Sequence, residues 1–107
     1  RTKVLVSFGD CAVTANVPAM RNQLGIGNEE SVLQRAYIEN AQHNPILPKE
    51  DGIVPQLLAR VLPVHEVVHV EHFLPGCPPP AERIKALVTQ MLSGVAPKLA
   101  GTQLKFG

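Results

Sequence analysis

The stretch Val64-His65-Glu66-Val67-Val68-His69-Val70-Glu71-His72-Phe73-Leu74, followed at once by Pro75-Gly76-Cys77-Pro78-Pro79-Pro80, decides how the chain is read. Its first part is rich in β-branched residues. Val68 and Val70 alternate with His69 and Glu71, which predicts a strand over residues 64–74. The second part cannot continue that strand, because three consecutive prolines remove three backbone donors. Beyond it, Pro80 suits the first helical position and Glu82 the first turn. Ile84, Leu87, Val88, Met91 and Leu92 then form one apolar stripe that Gly94 closes. The run predicts a strand, a cysteine-bearing turn and a helix in succession.

Working outward, the same order stands at the start of the chain. Lys3 to Phe8 contains the continuously apolar Val4-Leu5-Val6, the pattern of a strand buried on both faces of a parallel sheet. It ends at Gly9-Asp10-Cys11, a turn signal. Alternating β and α elements predict an α/β fold: a parallel sheet with covering helices. Parallel neighbours end on the same edge of a sheet, and that edge is where open α/β folds bind ligands. Cys11 and Cys77, 66 positions apart, are therefore expected on one rim.

The segment between them is less regular. Asn28 can cap a helix over residues 29–41 with Glu29 and Glu30 in its first turn and Val32, Leu33, Ala36 and Tyr37 on its buried side. His43 to Gly52 reads as a loop. Pro55 suits the start of a short helix with Leu57, Leu58 and Val61 inward, stopped by Pro63. Residues 95–107 read as an irregular tail that lies on a partner's surface.

The 107 residues make one domain, with 45% hydrophobic and 18% charged residues, an ordinary globular composition. Ten Lys plus Arg against nine Asp plus Glu leave no basic excess to offset phosphates, which argues against a protein that lives by binding nucleic acid. No apolar run approaches the ~18–20 residues of a membrane span. No stretch has the form of a signal peptide. Aromatic residues make up only 4%, there is no Trp, and the chain starts at Arg1. Such a chain is expected to be a fragment, or a subunit that completes its core against something else, and to be marginally stable alone.

Two thiols on one rim admit three readings: buried inert cysteines, a disulfide, or two ligands of a metal centre. Local chemistry leans to the third. Gly76 lets the backbone approach a bulky ligand, and the prolines after Cys77 stiffen the loop that presents its thiolate. Two cysteines alone still fall short of the four thiolates of an iron–sulfur site.

Phe73-Leu74-Pro75-Gly76-Cys77-Pro78-Pro79 resembles the last cysteine motif of NiFe-hydrogenase small subunits and of the related cluster-bearing 20 kDa subunit of respiratory NADH dehydrogenase. Gly9-Asp10-Cys11-Ala12 with Val17-Pro18-Ala19-Met20-Arg21-Asn22 resembles the preceding one. Ile53-Val54-Pro55 and Pro63-Val64-His65-Glu66-Val67-Val68 are similar, more narrowly, to small (delta) subunits of soluble bidirectional NAD-reducing hydrogenases. The match runs through Lys105-Phe106-Gly107.

The resemblance implies a flavodoxin-like parallel sheet with helices on both faces, incomplete at the N-terminus, and residues 1–107 as the C-terminal portion of a small-subunit domain. It implies that Cys11 and Cys77 are two of four ligands of a proximal 4Fe–4S cluster, in an environment of Gly9, Asp10, Ala12, Gly76 and Pro78. The other two ligands, a Cys-x-x-Cys motif in the family, are expected upstream of Arg1. Ala15-Asn16 departs from the paired glycines of many family members. The chain itself is expected not to be catalytic. Its cluster would relay electrons between the NiFe site of a large subunit and an NAD-reducing diaphorase of iron–sulfur and flavin subunits, in the cytoplasm. Backbone amides near Asp10, Ala12 and Gly76 are expected to donate to the sulfurs, and Arg21 and Asn22 to face the partner or solvent. The competing readings are the respiratory paralogue and a cluster-free interaction module.

Three other signals are set aside. His65-Glu66-Val67-Val68-His69 spells a zinc-peptidase motif, but on a strand its histidines would stand ~13 Å apart, too far to share a metal. Gly25-Ile26-Gly27 follows no predicted strand, so it is no dinucleotide fingerprint. Glu29 and Glu30 are explained by a solvated helical turn. His72, close to the cysteine turn, is the one histidine placed to serve as a proton or hydrogen-bond donor.

Overall fold

The computed structural model describes residues 2–25, 27 and 29–106. The expected cap Asn28, and Ile26 of the Gly-x-Gly run, lie outside the described residues. The chain forms two compact units. Arg1–Pro18 and Leu62–Gly107 make the first, and Ala19–Val61 the second.

In the first unit, strand β1 (Val6–Phe8) pairs in parallel with β2 (His72–Leu74), with Val6 opposite His72, Ser7 opposite Phe73 and Phe8 opposite Leu74. The architecture is α/β, as the alternation predicts. Both strands are shorter than expected. Before Val6 the ladder is closed by a side chain: the Glu71 and His72 amides donate to the Leu5 carbonyl, while the Leu5 amide donates to Glu71 Oε2 at 2.7 Å. A carboxylate thus stands where a partner strand's carbonyl would, and Val4 beyond it is exposed.

The expected strand over residues 64–74 is reduced to its last three residues. Val64–Glu66 is a 3-10 turn after an extended Pro63, and the Val67 and Val68 amides both return to the Val64 carbonyl. Local turn bonds started by Pro63 outweigh the β-propensity of the valines, a context-dependent preference.

Helix α1 (Asp10–Thr14) follows β1 and packs against both strands. It ends at Ala15, which adopts the left-handed conformation at φ 63 and is buried. That is a backbone state glycine takes more cheaply. Helix α3 (Ala81–Leu92) starts one residue later than expected: Pro80, expected at the first helical position, is its extended N-cap, and Gly94 at φ 73 lies just past its end as expected. Its buried stripe is narrower than the sequence suggests. Leu87 is buried and Ile84 and Met91 are half-buried, whereas Val88 and Leu92 face solvent. Ala15, Val70, Leu74 and Leu87 are the buried apolar core, and Leu74 is wholly inaccessible.

The tail is bonded to its own chain. Lys98 N donates to Gln90 Oε1, a 3-10 turn forms at Gly101–Leu104, and Arg83 donates to the Lys105 carbonyl.

The second unit holds α2 (Glu29–Gln34), which loosens into a π-helical turn at Arg35–Glu39. Ala36 and Tyr37, expected on its buried side, are exposed. The short helix expected after Pro55 is absent, and Leu57 and Leu58 are exposed. The cause is visible in the hydrogen bonds. Val61 N donates to Asn22 Oδ1, Asn22 Nδ2 donates to the Val61 carbonyl, and Arg21 donates to the Leu58 carbonyl at 2.7 Å. Side chains take the backbone groups that a helix would need. Arg21 and Asn22 staple this unit from within and remain partly exposed.

Candidate metal centre

The carboxyl ends of β1 and β2 run into the two cysteine loops, and the loops are bonded to each other. Gly9 N donates to the Leu74 carbonyl at 2.8 Å, continuing the ladder one step past β1. Asp10 N then donates to the Gly76 carbonyl at 2.9 Å, and Gly76 N donates to Asp10 Oδ1 at 2.5 Å. Residues 10 and 76 therefore exchange two hydrogen bonds, and the residue after each is a cysteine. The structure brings Cys11 and Cys77 to one rim, as parallel strands require. Both are free thiols and both are exposed.

The Cys77 loop leaves no room for a side chain at Gly76. A Cβ at Gly76 would lie 2.5 Å from Pro79 Cα and 2.8 Å from Pro79 N, and its φ of +139 is open only to glycine. A Cβ at Gly9, φ +82, would touch the Gly76 carbonyl at 3.5 Å. Pro75, Gly76 and Pro79 are buried, while Cys77 and Pro78 face outward. A guanidinium nitrogen of Arg83, in the first turn of α3, donates to the Pro75 carbonyl and to the Lys105 carbonyl, which fixes the loop from below.

These bonds correct one expectation. The amides of Asp10, Ala12 and Gly76 donate to the Gly76 carbonyl, the Gly9 carbonyl and Asp10 Oδ1 respectively, so they are engaged within the loop pair rather than aimed at the thiolates. Prolines 78–80 carry no N–H, which leaves Cys77 with the sole backbone donor of residues 77–80. The Asp10 side chain and Arg83 were not singled out for these roles. An aspartate directly before Cys11 is a signal that could have been read; nothing in the sequence marks Arg83.

His65 meets the Phe73 ring edge-on at a centroid distance of 5.5 Å, and His69 lies 3.7 Å from Glu71. The zinc motif falls across a 3-10 turn and a bend, not the strand assumed in setting it aside. His72 lines a cavity of about 240 Å³ with Phe73, Leu87, Pro97 and Leu104. Glu71 has its carboxyl pKa held below 4.5, first by the Leu5 N–H it accepts and then by His69 and His72.

Among the described residues no three of His, Cys, Asp or Glu converge as a metal-binding group. Cys11 and Cys77 supply two soft donors on a stiff, closely packed rim, which fits half of a four-thiolate cluster site. Among the described residues no helix is long and apolar enough to cross a membrane.

Residues 1–91 match the family model described as NADH ubiquinone oxidoreductase, 20 Kd subunit. The delta subunit of the NAD-reducing hydrogenase HoxS of Cupriavidus necator is 36% identical over 95 residues, covering 85% of this chain and 44% of that protein. A subunit of the F420-non-reducing hydrogenase of Methanothermobacter marburgensis is 34% identical over 107 residues, covering 97% of this chain and 33% of the relative. A crystal structure of NAD+-reducing NiFe-hydrogenase in the H2-reduced state superposes with a TM-score of 0.77 at 34% identity, covering 98% of this chain and 58% of that one. The chain spans about a third to a half of the length of these curated relatives. It belongs to the family of the NADH ubiquinone oxidoreductase 20 kDa subunit, within which hydrogenase subunits are its relatives.

Proposed function

We propose that this member of the 20 kDa subunit family is the C-terminal portion of an electron-transfer subunit of a NiFe hydrogenase, with Cys11 and Cys77 as two of the four thiolate ligands of a 4Fe–4S cluster. The observation that carries the reading is the pair of hydrogen bonds between Asp10 and Gly76, which joins the residues directly preceding two sequence-distant cysteines at the carboxyl edge of a parallel sheet. Its relatives' names point the same way: one is a subunit of an NAD-reducing hydrogenase, another of an F420-non-reducing hydrogenase. The remaining two thiolates would come from outside these 107 residues.

When bound, such a cluster supplies a one-electron carrier and no bond-making chemistry of its own. The chain's residues do the rest. Cys11 and Cys77 hold the iron. Pro78, Pro79 and Pro80 limit the movement of Cys77 and remove amides that would draw water to the sulfurs. Gly76 keeps the loop close to Pro79, so that the backbone behind Cys77 is tightly packed.

The proposed partners are a large subunit bearing the NiFe centre and a diaphorase of iron–sulfur and flavin subunits, with NAD bound there, in the cytoplasm. The test separates relay from hydrogen activation in the full complex. Cys77→Ala is expected to abolish hydrogen-dependent NAD reduction while exchange of hydrogen isotopes at the large subunit continues. Unchanged hydrogen-dependent NAD reduction would overturn the proposal.

A further inference from the structure

The Asp10 side chain has a task that its backbone does not. It is 4% exposed, yet it lies next to an exposed cysteine. Its Oδ1 accepts the Gly76 N–H at 2.5 Å, while its own N–H donates to the Gly76 carbonyl at 2.9 Å. The two bonds grip Gly76 on both sides of its Cα. The carbonyl belongs to the planar peptide that joins Gly76 to Cys77, so directing that oxygen at Asp10 turns the Cys77 N–H, which is trans to it, away from the loop pair. The carboxylate bond holds the preceding peptide. With both peptides fixed, the Cys77 Cα is held one trans peptide, about 3.8 Å, from Gly76, as the Cys11 Cα is from Asp10, so the grip between residues 10 and 76 sets how far apart the two cysteines stand.

We infer that Asp10 is a positioning residue: its carboxylate sets the spacing of the Cys11 and Cys77 thiols through the Gly76 amide. This rests on reading the two cysteines as ligands of one cluster. It adds that the spacing is built by the protein before any metal arrives. A charged acceptor suits the task because a carboxylate binds an N–H about twice as strongly as a neutral acceptor. Asparagine keeps an oxygen in the same place, and alanine does not.

The test uses the full-length chain prepared without iron, as wild type, Asp10→Asn and Asp10→Ala. Phenylarsine oxide bridges two neighbouring thiols by forming two As–S bonds and releasing one water, with no change of oxidation state. Peptide mass mapping reports the Cys11–Cys77 bridge. Hydrogen exchange reports the Gly76 amide and, as a control for folding, the amides of α3. Asp10→Ala is expected to speed Gly76 exchange by at least about tenfold, the value of one charge-assisted hydrogen bond, and to cut the bridge yield. The α3 amides keep their protection, and Asp10→Asn restores most of both losses. A bridge yield unchanged in Asp10→Ala overturns the role of Asp10 and leaves the paired cysteines standing. Loss of α3 protection together with that of Gly76 also overturns it, by showing a general structural role. Absence of the bridge in the wild type overturns the pairing itself.

Discussion

Gly76→Ala isolates what the cysteine loop demands of its backbone. The added methyl would sit 2.5 Å from Pro79 Cα, 2.8 Å from Pro79 N and 3.1 Å from the Pro78 carbonyl oxygen. Ordinary carbon–carbon contact is about 3.5–4.0 Å, so the overlap is of the order of 1 Å. It is an overlap with backbone, so no rotamer change relieves it. A non-glycine residue at φ +139 adds conformational strain of about 1–3 kcal/mol, and overpacking a tight site adds about 1–3 more. The expected loss is about 2–6 kcal/mol, and the loop carrying Cys77 is what must move. Gly94→Ala is the built-in control: its φ is also positive, at +73, but nothing lies within 4 Å of the new methyl. There only the left-handed conformation costs, about 1–2 kcal/mol. Urea denaturation of the full-length chain gives both values, and iron retained per chain gives the effect on the site. Gly76→Ala should be clearly the less stable and should bind less iron. If the two variants were equally stable, the close approach of Gly76 to Pro79 would not be what the fold requires.

Three further outcomes follow from particular side chains. Ser7 is 1% exposed in β1, and its Oγ has no hydrogen-bond partner among the described residues; Ser7→Ala should raise the unfolding free energy measured in urea by about 1 kcal/mol, because an unpaired buried hydroxyl is lost. Arg83→Met keeps the aliphatic stem but removes the donors to Pro75 and Lys105, which should cost about 1–3 kcal/mol and make residues 101–106 the first site of limited proteolysis. Glu71 has a folded-state pKa held below its usual 4.5, so the stability it contributes is present above that value and is lost as pH falls through the lowered one; the urea midpoint should decline in that acid window, and Glu71→Gln should flatten that part of the profile.

The rim was legible because it follows from topology. Parallel strands that each end in a cysteine turn must present those turns together, and the Gly76 and proline pattern states which loop is rigid. Helix α3 was legible for the same kind of reason: a capping proline, a 3.6-residue stripe and a closing glycine agree. The strand over residues 64–71 was misread because valines favour strands only where a partner strand is available, and Pro63 offered the Val64 carbonyl a cheaper turn. The helix after Pro55 was misread because nothing in the residues 55–62 announces that Asn22, 39 positions away, takes both backbone groups of Val61. Asp10 marks the border between the two cases. Its place beside Cys11 is local, but its partner at Gly76 is 66 residues distant, and only the folded sheet brings them together.

The most direct test of the account is the iron content and electron paramagnetic resonance spectrum of the reduced full-length subunit, compared with a variant in which Cys11 and Cys77 are both alanine. The account predicts the signal of a reduced 4Fe–4S cluster in the wild type and its loss, with the iron, in the variant. The same signal and the same iron in both would show that these two thiols do not ligate the cluster, and would contradict it.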